Sequence, residues 1–146
     1  MQSDIDRILI DEEQLREKVK ELGEQISRDY GNNKNKLLMI SVLKGSVIFM
    51  ADLMRSISTP VEVDFMAVSS YGSGVQTSGV VKITKDLDID MQGLDLLIVE
   101  DILDSGMTLS YLKRILAQRG PNSIRIVTLL DKPERRTADI EIDYVG

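Results

Sequence analysis

Short runs of contiguous apolar residues alternate along this chain with segments whose apolar residues recur every three or four positions, which predicts buried strands interleaved with amphipathic helices. Residues 8–10 form a short apolar piece, a candidate edge strand. Leu15, Val19, Leu22 and Ile26 then recur at steps of four, three and four, in a helix opened by Asp11 as N-cap with Gln14 three residues on and stopped by Gly31 before Asn32 and Asn33. The run 37–43 predicts a buried strand, with Ile48, Phe49, Leu53 and Ile57 as the apolar face of a helix behind it. After Pro60, residues Val61, Val63, Phe65 and Ala67 share one face of a strand, and Glu62 and Asp64 begin the other. Residues 69–79 carry three glycines and several hydroxyls without an apolar period, and read as a long loop before a returning strand at 80–84. The run 96–99 is the next buried strand; Leu109, Leu112, Ile115 and Leu116 face a helix ended by Gly120 and Pro121; 124–130 and 140–145 are the last strands. Strand, tight turn and helix recur in that order, which predicts an α/β, doubly wound, mostly parallel sheet.

Composition narrows the chemistry. The 146 residues suffice for a single domain with a real core, expected to span 1–146, and no repeat or low-complexity stretch divides them. A net charge of −6 argues against broad nucleic-acid binding, and no nucleic-acid partner is expected. Histidine and cysteine are both absent, so disulfides, thiolate nucleophiles and Ser-His or Cys-His arrangements are excluded and catalysis falls to Asp, Glu, Lys, Arg, Tyr or a bound metal. The opening residues 1–6 lack the basic start and apolar run of an export signal, and no apolar stretch reaches membrane-spanning length, so the expectation is a cytosolic protein without a membrane partner. Asp86, Asp88 and Asp90 read as a solvated turn, since no glycine and terminal glutamate complete a calcium-loop pattern.

Open α/β sheets bind ligands beyond the carboxyl ends of their strands, so the residues there matter most. At the end of the 96–99 run stand two adjacent carboxylates, Glu100 and Asp101, followed by Asp104, Ser105, Gly106, Met107 and Thr108 at the start of a helix. Gly106 allows close backbone approach, Ser105 and Thr108 supply hydroxyls, and unpaired amides at the helix start attract an anion. The carboxylates suit a sugar diol or a hard divalent cation. A phosphate cradle beside a diol-binding acidic pair describes a ribose 5-phosphate site. Two other strand ends carry cations: Lys44 with Gly45 and Ser46, and Lys132 through Arg136. Taken alone, Lys44 and Lys132 read as surface lysines, Asp104 as an N-cap or turn aspartate, and the 69–79 loop equally as lid or linker.

The run 99–108, Val-Glu-Asp-Ile-Leu-Asp-Ser-Gly-Met-Thr, closely resembles the phosphoribosyl pyrophosphate (PRPP) motif of the phosphoribosyltransferases, in the version that carries Asp104 and is similar to the hypoxanthine-guanine branch, bacterial type. Residues 43–46 resemble the family's pyrophosphate-binding loop, Ser70-Tyr71 the pair that opens its closing loop, and 79–88 the bacterial members. The resemblance implies a type I phosphoribosyltransferase fold, with residues 1–10 in a small hood left incomplete and 35–146 forming the core. It implies transfer of ribose 5-phosphate from PRPP to hypoxanthine or guanine with Mg²⁺ as cofactor, in a homo-oligomer. Asp104 would act on the imidazole nitrogen of the base, Asp104 to Thr108 would hold the 5-phosphate, and Glu100 and Asp101 would grip the ribose diol and help place Mg²⁺. Lys44 and Gly45, with Arg136, would receive pyrophosphate across a cis peptide expected between Lys44 and Gly45. Lys132 would donate to the 6-oxo group, and the Ser70-Tyr71 loop would close over the substrates. Family chains continue a few tens of residues past the 143–146 segment, so a truncated form, or an inactive core, is one expectation. Two rivals share parts of the pattern: an RNA-binding attenuation regulator of the same fold, which Asp104, Lys132 and the acidic total argue against, and a receiver-type domain, which leaves the 105–108 cradle unexplained.

Overall fold

The computed structural model describes residues 11–31, 35–70, 81–103, 105–137 and 140–146. Its elements run α1 (Glu12–Tyr30), β1 (Leu37–Val42), α2 (Val47–Arg55), β2 (Val61–Ser70), β3 (Val81–Lys85), β4 (Asp95–Leu103), α3 (Met107–Ala117), β5 (Ser123–Asp131), a 3-10 turn (Pro133–Arg135) and β6 (Tyr144–Val145). They form one six-stranded sheet in the order β3-β2-β1-β4-β5-β6, parallel throughout except for the antiparallel edge strand β3.

Alternation along the central strands builds two cores. Leu37, Met39, Leu97, Val99 and Val127 face α1 and α2, whose Val19, Leu22, Ile26, Phe49, Met50 and Leu53 cover them. Leu38, Ile40, Leu96, Ile98 and Ile126 face the other way, onto Leu109, Leu112 and Leu116 of α3. With both faces covered, contiguous apolar runs are what these strands need. The same cover extends to β2, on whose second face Met66 is fully buried and Asp64 nearly so. Asp64 meets its polar needs locally, accepting from Phe65 N at 2.7 Å and Asp88 N at 2.9 Å, with Lys85 3.8 Å away.

The helix signals hold in detail and differ at their margins. Asp11 and Gln14 form a reciprocal capping box, Gln14 N to Asp11 Oδ1 at 2.8 Å and Asp11 N to Gln14 Oε1 at 2.9 Å. Gly31 caps the other end with right-handed backbone, not a left-handed turn. In α2 the face toward the sheet is Phe49, Met50 and Leu53; Ile48, expected there, is 72% exposed because it falls one position outside that stripe. The last strand is also shorter than expected. Among the described residues the ladder with β5 holds Tyr144 and Val145, flanked by bonds from Asp143 N to Ile126 O and Gly146 N to Thr128 O, while Ile140 and Ile142 pack toward the α3 core. Asp86 is more than a solvated turn residue, since Arg119 grips both its oxygens at 2.7 Å and lowers its pKa.

The order places the topological switch between β1 and β4: from β1 the chain moves outward to β2, from β4 it moves the opposite way to β5. A crevice opens at such a reversal, beyond the carboxyl ends of those two strands.

Candidate functional site

β4 is longer than its apolar run. It pairs with β1 only as far as Val99 opposite Ser41, but with β5 as far as Leu103 opposite Asp131. Residues 100–103 therefore run on past the ladder with β1, with 101–103 beyond the level of its last residue, Val42, and the acidic pair lies within the strand instead of after it. The space left beside the overhang is filled by the loop that follows β1.

That loop is held from below. Ser41 and Ser46, both buried, share a hydroxyl hydrogen bond at 2.7 Å, and Ser46 Oγ donates to Val42 O at 3.1 Å. Leu43 N still donates to Met66 O at 2.7 Å, so the chain leaves the sheet only after it. The cis peptide expected at Lys44–Gly45 falls one bond earlier, at Leu43–Lys44. The resemblance marks the loop, and the bond follows the last sheet contact. Lys44 is exposed, and Gly45 turns its α-carbon toward β4: a β-carbon there would stand 3.4 Å from Asp101 Oδ2. Lys44, Gly45 and the acidic pair are thus brought together. Ser41 went unread, although a serine inside an apolar strand signals a buried hydroxyl that needs a partner.

On the other side of the overhang, Gly106 has φ +78° and opens α3, with Ser110 N donating to Gly106 O at 2.8 Å. Met107 N lies 3.4 Å from Ser105 Oγ. The amides of the first turn have no partner inside the helix and stand at the positive end of its dipole. A cavity of about 210 Å³ opens here between Glu100, Ile102, Ser105, Thr108 and Leu109. Ile102 was not singled out in the sequence. It is 41% exposed at this mouth, an apolar surface set among acids and hydroxyls, and an isoleucine inside an acidic motif was the signal.

The two carboxylates serve the two sides. Glu100 lines the cavity with Ser105 to Leu109, and Asp101 lines a cleft of about 660 Å³ with Gly45, Phe49 and Leu129. Burial, then the hydrogen bond and charge of Asp101, push the Glu100 pKa up to about 8. Ile102 N donates to Asp101 Oδ1 at 2.8 Å. Among the described residues no cluster of three or more acidic side chains could hold a metal by itself. Two adjacent carboxylates are nevertheless donors of the kind that suit a hard cation.

Lys132 follows the end of β5, its N donating to Leu103 O at 2.9 Å, which sets it beside the tip of β4. Arg136 takes a different neighbourhood from the one expected. Its Nη2 pairs with Asp131, and its stem lies against Gly106, on the β5 side of β4, whereas the Lys44 loop lies on the β1 side. Asp104 and Tyr71 lie outside the described residues, as does the 1–10 segment; of Ser70 the backbone alone is described, at the end of β2.

A phosphoribosyl transferase domain family matches residues 8–146. The hypoxanthine-guanine phosphoribosyltransferase of Bacillus subtilis (strain 168) is 53% identical over 146 residues, covering 100% of this chain and 80% of that protein. The enzyme of the same name from Mycobacterium tuberculosis (strain CDC 1551 / Oshkosh) is 53% identical over 147 residues, covering 98% of this chain and 73% of the relative. A crystal structure of a hypoxanthine phosphoribosyltransferase from Staphylococcus aureus superposes with a TM-score of 0.94 at 46% identity, over 100% of this chain and 78% of that one.

Proposed function

We propose, because this chain belongs to the hypoxanthine-guanine phosphoribosyltransferase family and shares its type I phosphoribosyltransferase fold, a division of labour for its residues in purine salvage. The reaction moves ribose 5-phosphate from PRPP to hypoxanthine or guanine, giving a nucleotide and pyrophosphate. The electrons of the bond from C1 of the ribose to oxygen leave with pyrophosphate, a purine nitrogen bonds to C1, and the imidazole proton must be accepted. Positive charge grows on the sugar and negative charge on the leaving group, so placed charge is the main catalytic tool.

The observation that carries this reading is the overhang of β4, which suspends Glu100 and Asp101 between the Lys44 loop and the Gly106 turn. In this reading the amides and hydroxyls of Ser105 to Thr108 take the 5-phosphate. Glu100 and Asp101 accept hydrogen bonds from the ribose diol. They are also the residues that would hold Mg²⁺, which when bound would supply positive charge against the diphosphate. Lys44 adds positive charge where pyrophosphate departs, and Gly45 keeps the approach to Asp101 open. Lys132 donates to the 6-oxo group, which favours hypoxanthine and guanine over adenine. Asp104 accepts the imidazole proton. Ile102 gives the purine an apolar surface at the mouth of the cavity. No described helix is long and apolar enough to cross a membrane, and the cytoplasm suits an enzyme of salvage. Residues 1–146 act as one domain in this reading.

The test is conversion of radiolabelled hypoxanthine, guanine, xanthine and adenine to nucleotide with PRPP and Mg²⁺, comparing the chain with Asp104→Asn. Turnover of hypoxanthine or guanine, reduced at least a hundredfold in the variant, is expected for loss of a general base. Equal turnover by the variant would remove Asp104 from the mechanism, and absence of both turnover and PRPP-induced thermal stabilisation would remove the site.

A further inference from the structure

Arg136 supports an inference that rests on the assignment of the Ser105 to Thr108 turn to phosphate and goes beyond it. Its charged end is tied to Asp131, and both side chains are only about one-fifth exposed, 19% and 21%. Its stem crosses the open face of Gly106, where a β-carbon would stand 3.2 Å from Arg136 Cδ and 3.7 Å from Nε. Two backbone bonds join the same segments, Lys132 N to Leu103 O at 2.9 Å and Thr137 N to Ser105 O at 3.0 Å. The 3-10 turn between them closes through Arg135 N to Lys132 O at 3.0 Å and Arg136 N to Pro133 O at 3.1 Å. The residues after β5 therefore form a bracket around the loop between β4 and α3, with Arg136 as its cross-piece.

Gly106 is the point where that loop is least constrained by its own chemistry, since a residue without a side chain at positive φ has neighbouring conformations open to it. An arginine stem laid over it removes that freedom, and a paired guanidinium with low exposure fixes the stem. We propose that Arg136 is a positioning residue, clamped by Asp131, that braces the Ser105-Gly106 turn in the shape that receives the 5-phosphate, and that it does not hold pyrophosphate. The Lys44 loop on the far side of β4 keeps that second role.

Calorimetric titration separates the two. Inosine monophosphate presents a 5-phosphate without pyrophosphate, and inorganic pyrophosphate with Mg²⁺ presents the reverse. Arg136→Met keeps much of the stem and removes the charge; Asp131→Ala removes the clamp. Each is expected to weaken inosine monophosphate by about tenfold, equivalent to about 1.4 kcal/mol, with no further loss in the double variant and no change for pyrophosphate. Arg136→Lys, which keeps stem and charge, should stay within about threefold of the unaltered protein, and it provides the comparison should the other variants fold poorly by circular dichroism. Weaker pyrophosphate binding in Arg136→Met or Arg136→Lys with inosine monophosphate unchanged would overturn the proposal, as would additive losses or unaltered binding throughout. Failure of the unaltered protein to bind inosine monophosphate would instead overturn the phosphate assignment beneath it, and the brace with it.

Discussion

Substituting Gly106 by alanine should damage this protein more than the loss of one hydrogen atom suggests, and Gly93 supplies the control. Both residues have nearly the same positive φ, +78° at Gly106 and +77° at Gly93. A β-carbon in left-handed backbone costs roughly 1–2 kcal/mol at either place. Around Gly93 that carbon meets nothing within 4 Å, so Gly93→Ala should cost the backbone term alone. At Gly106 it would stand 2.9 Å from Ile140 Cγ2 and 3.2 Å from Arg136 Cδ, and each neighbour is held, Ile140 against the α3 core and Arg136 by Asp131. Overpacking of that kind adds about 1–3 kcal/mol. Gly106→Ala should therefore lose about 2–5 kcal/mol in urea unfolding against about 1–2 for Gly93→Ala. In a thermal melt each kcal/mol is worth roughly 2–4 °C at this chain length. The difference between the two variants, not either value alone, isolates the contacts. Equal losses would refute the claim that Ile140 and Arg136 press on the turn, and a stable Gly106→Ala protein with full nucleotide affinity would refute the role of the turn as a close-approach site.

Three other perturbations test separate links. Glu100 has a folded pKa near 8 against an ordinary value of 4.5, so the folded state binds a proton that the unfolded state releases; its contribution is complete below about pH 4.5 and is lost as pH rises through about 8, at no more than about 1.4 kcal/mol per pH unit. Urea melts at pH 5 and pH 8.5 should show that loss in the unaltered protein and not in Glu100→Gln, and parallel slopes would sink the assignment. Asp11→Ala breaks an exposed capping box and should cost about 1 kcal/mol in the same assay, with Gln14→Ala adding less than its own separate cost because the two bonds are reciprocal. Leu112→Ala empties a position 1% exposed on the buried face of α3 and should cost about 2–5 kcal/mol; a loss under 1 kcal/mol would mean that α3 is not packed on the sheet as described.

How far the sequence could be read depended on whether the deciding neighbour lay nearby in the chain. Contiguous apolar runs located β1, β4 and β5, because a strand covered on both faces records its burial in its own residues. The capping box was legible for the same reason, as both partners lie within four residues. Ile48 was misjudged because the stripe facing the sheet is defined by where α2 crosses it, and only packing fixes that angle. The burial of Asp64 was not legible because a backbone amide that satisfies it belongs to Asp88, 24 residues on. In the site, residue types at the strand ends suggest phosphate, diol and cation chemistry, which the proposed roles adopt. They could not reveal that β4 outruns β1, since that depends on the register between strands far apart in sequence.

That register is what turns the acidic pair from a composition into a device. Were β4 to end with β1 at Val99, Glu100 and Asp101 would lie in a loop, free to separate and to be solvated one by one. Carried four residues further on a strand still bonded to β5, they are held together with one side turned to Gly45 and the other to Ser105. Burial and the neighbouring Asp101 then raise the Glu100 pKa to about 8, so the fold holds two oxygen donors side by side while disfavouring a second negative charge there. The sheet bears the cost of that crowding through the ladder that continues to Leu103 opposite Asp131, the residue that also clamps Arg136. One strand end thus fixes the acidic pair and, through Asp131, the turn beside it.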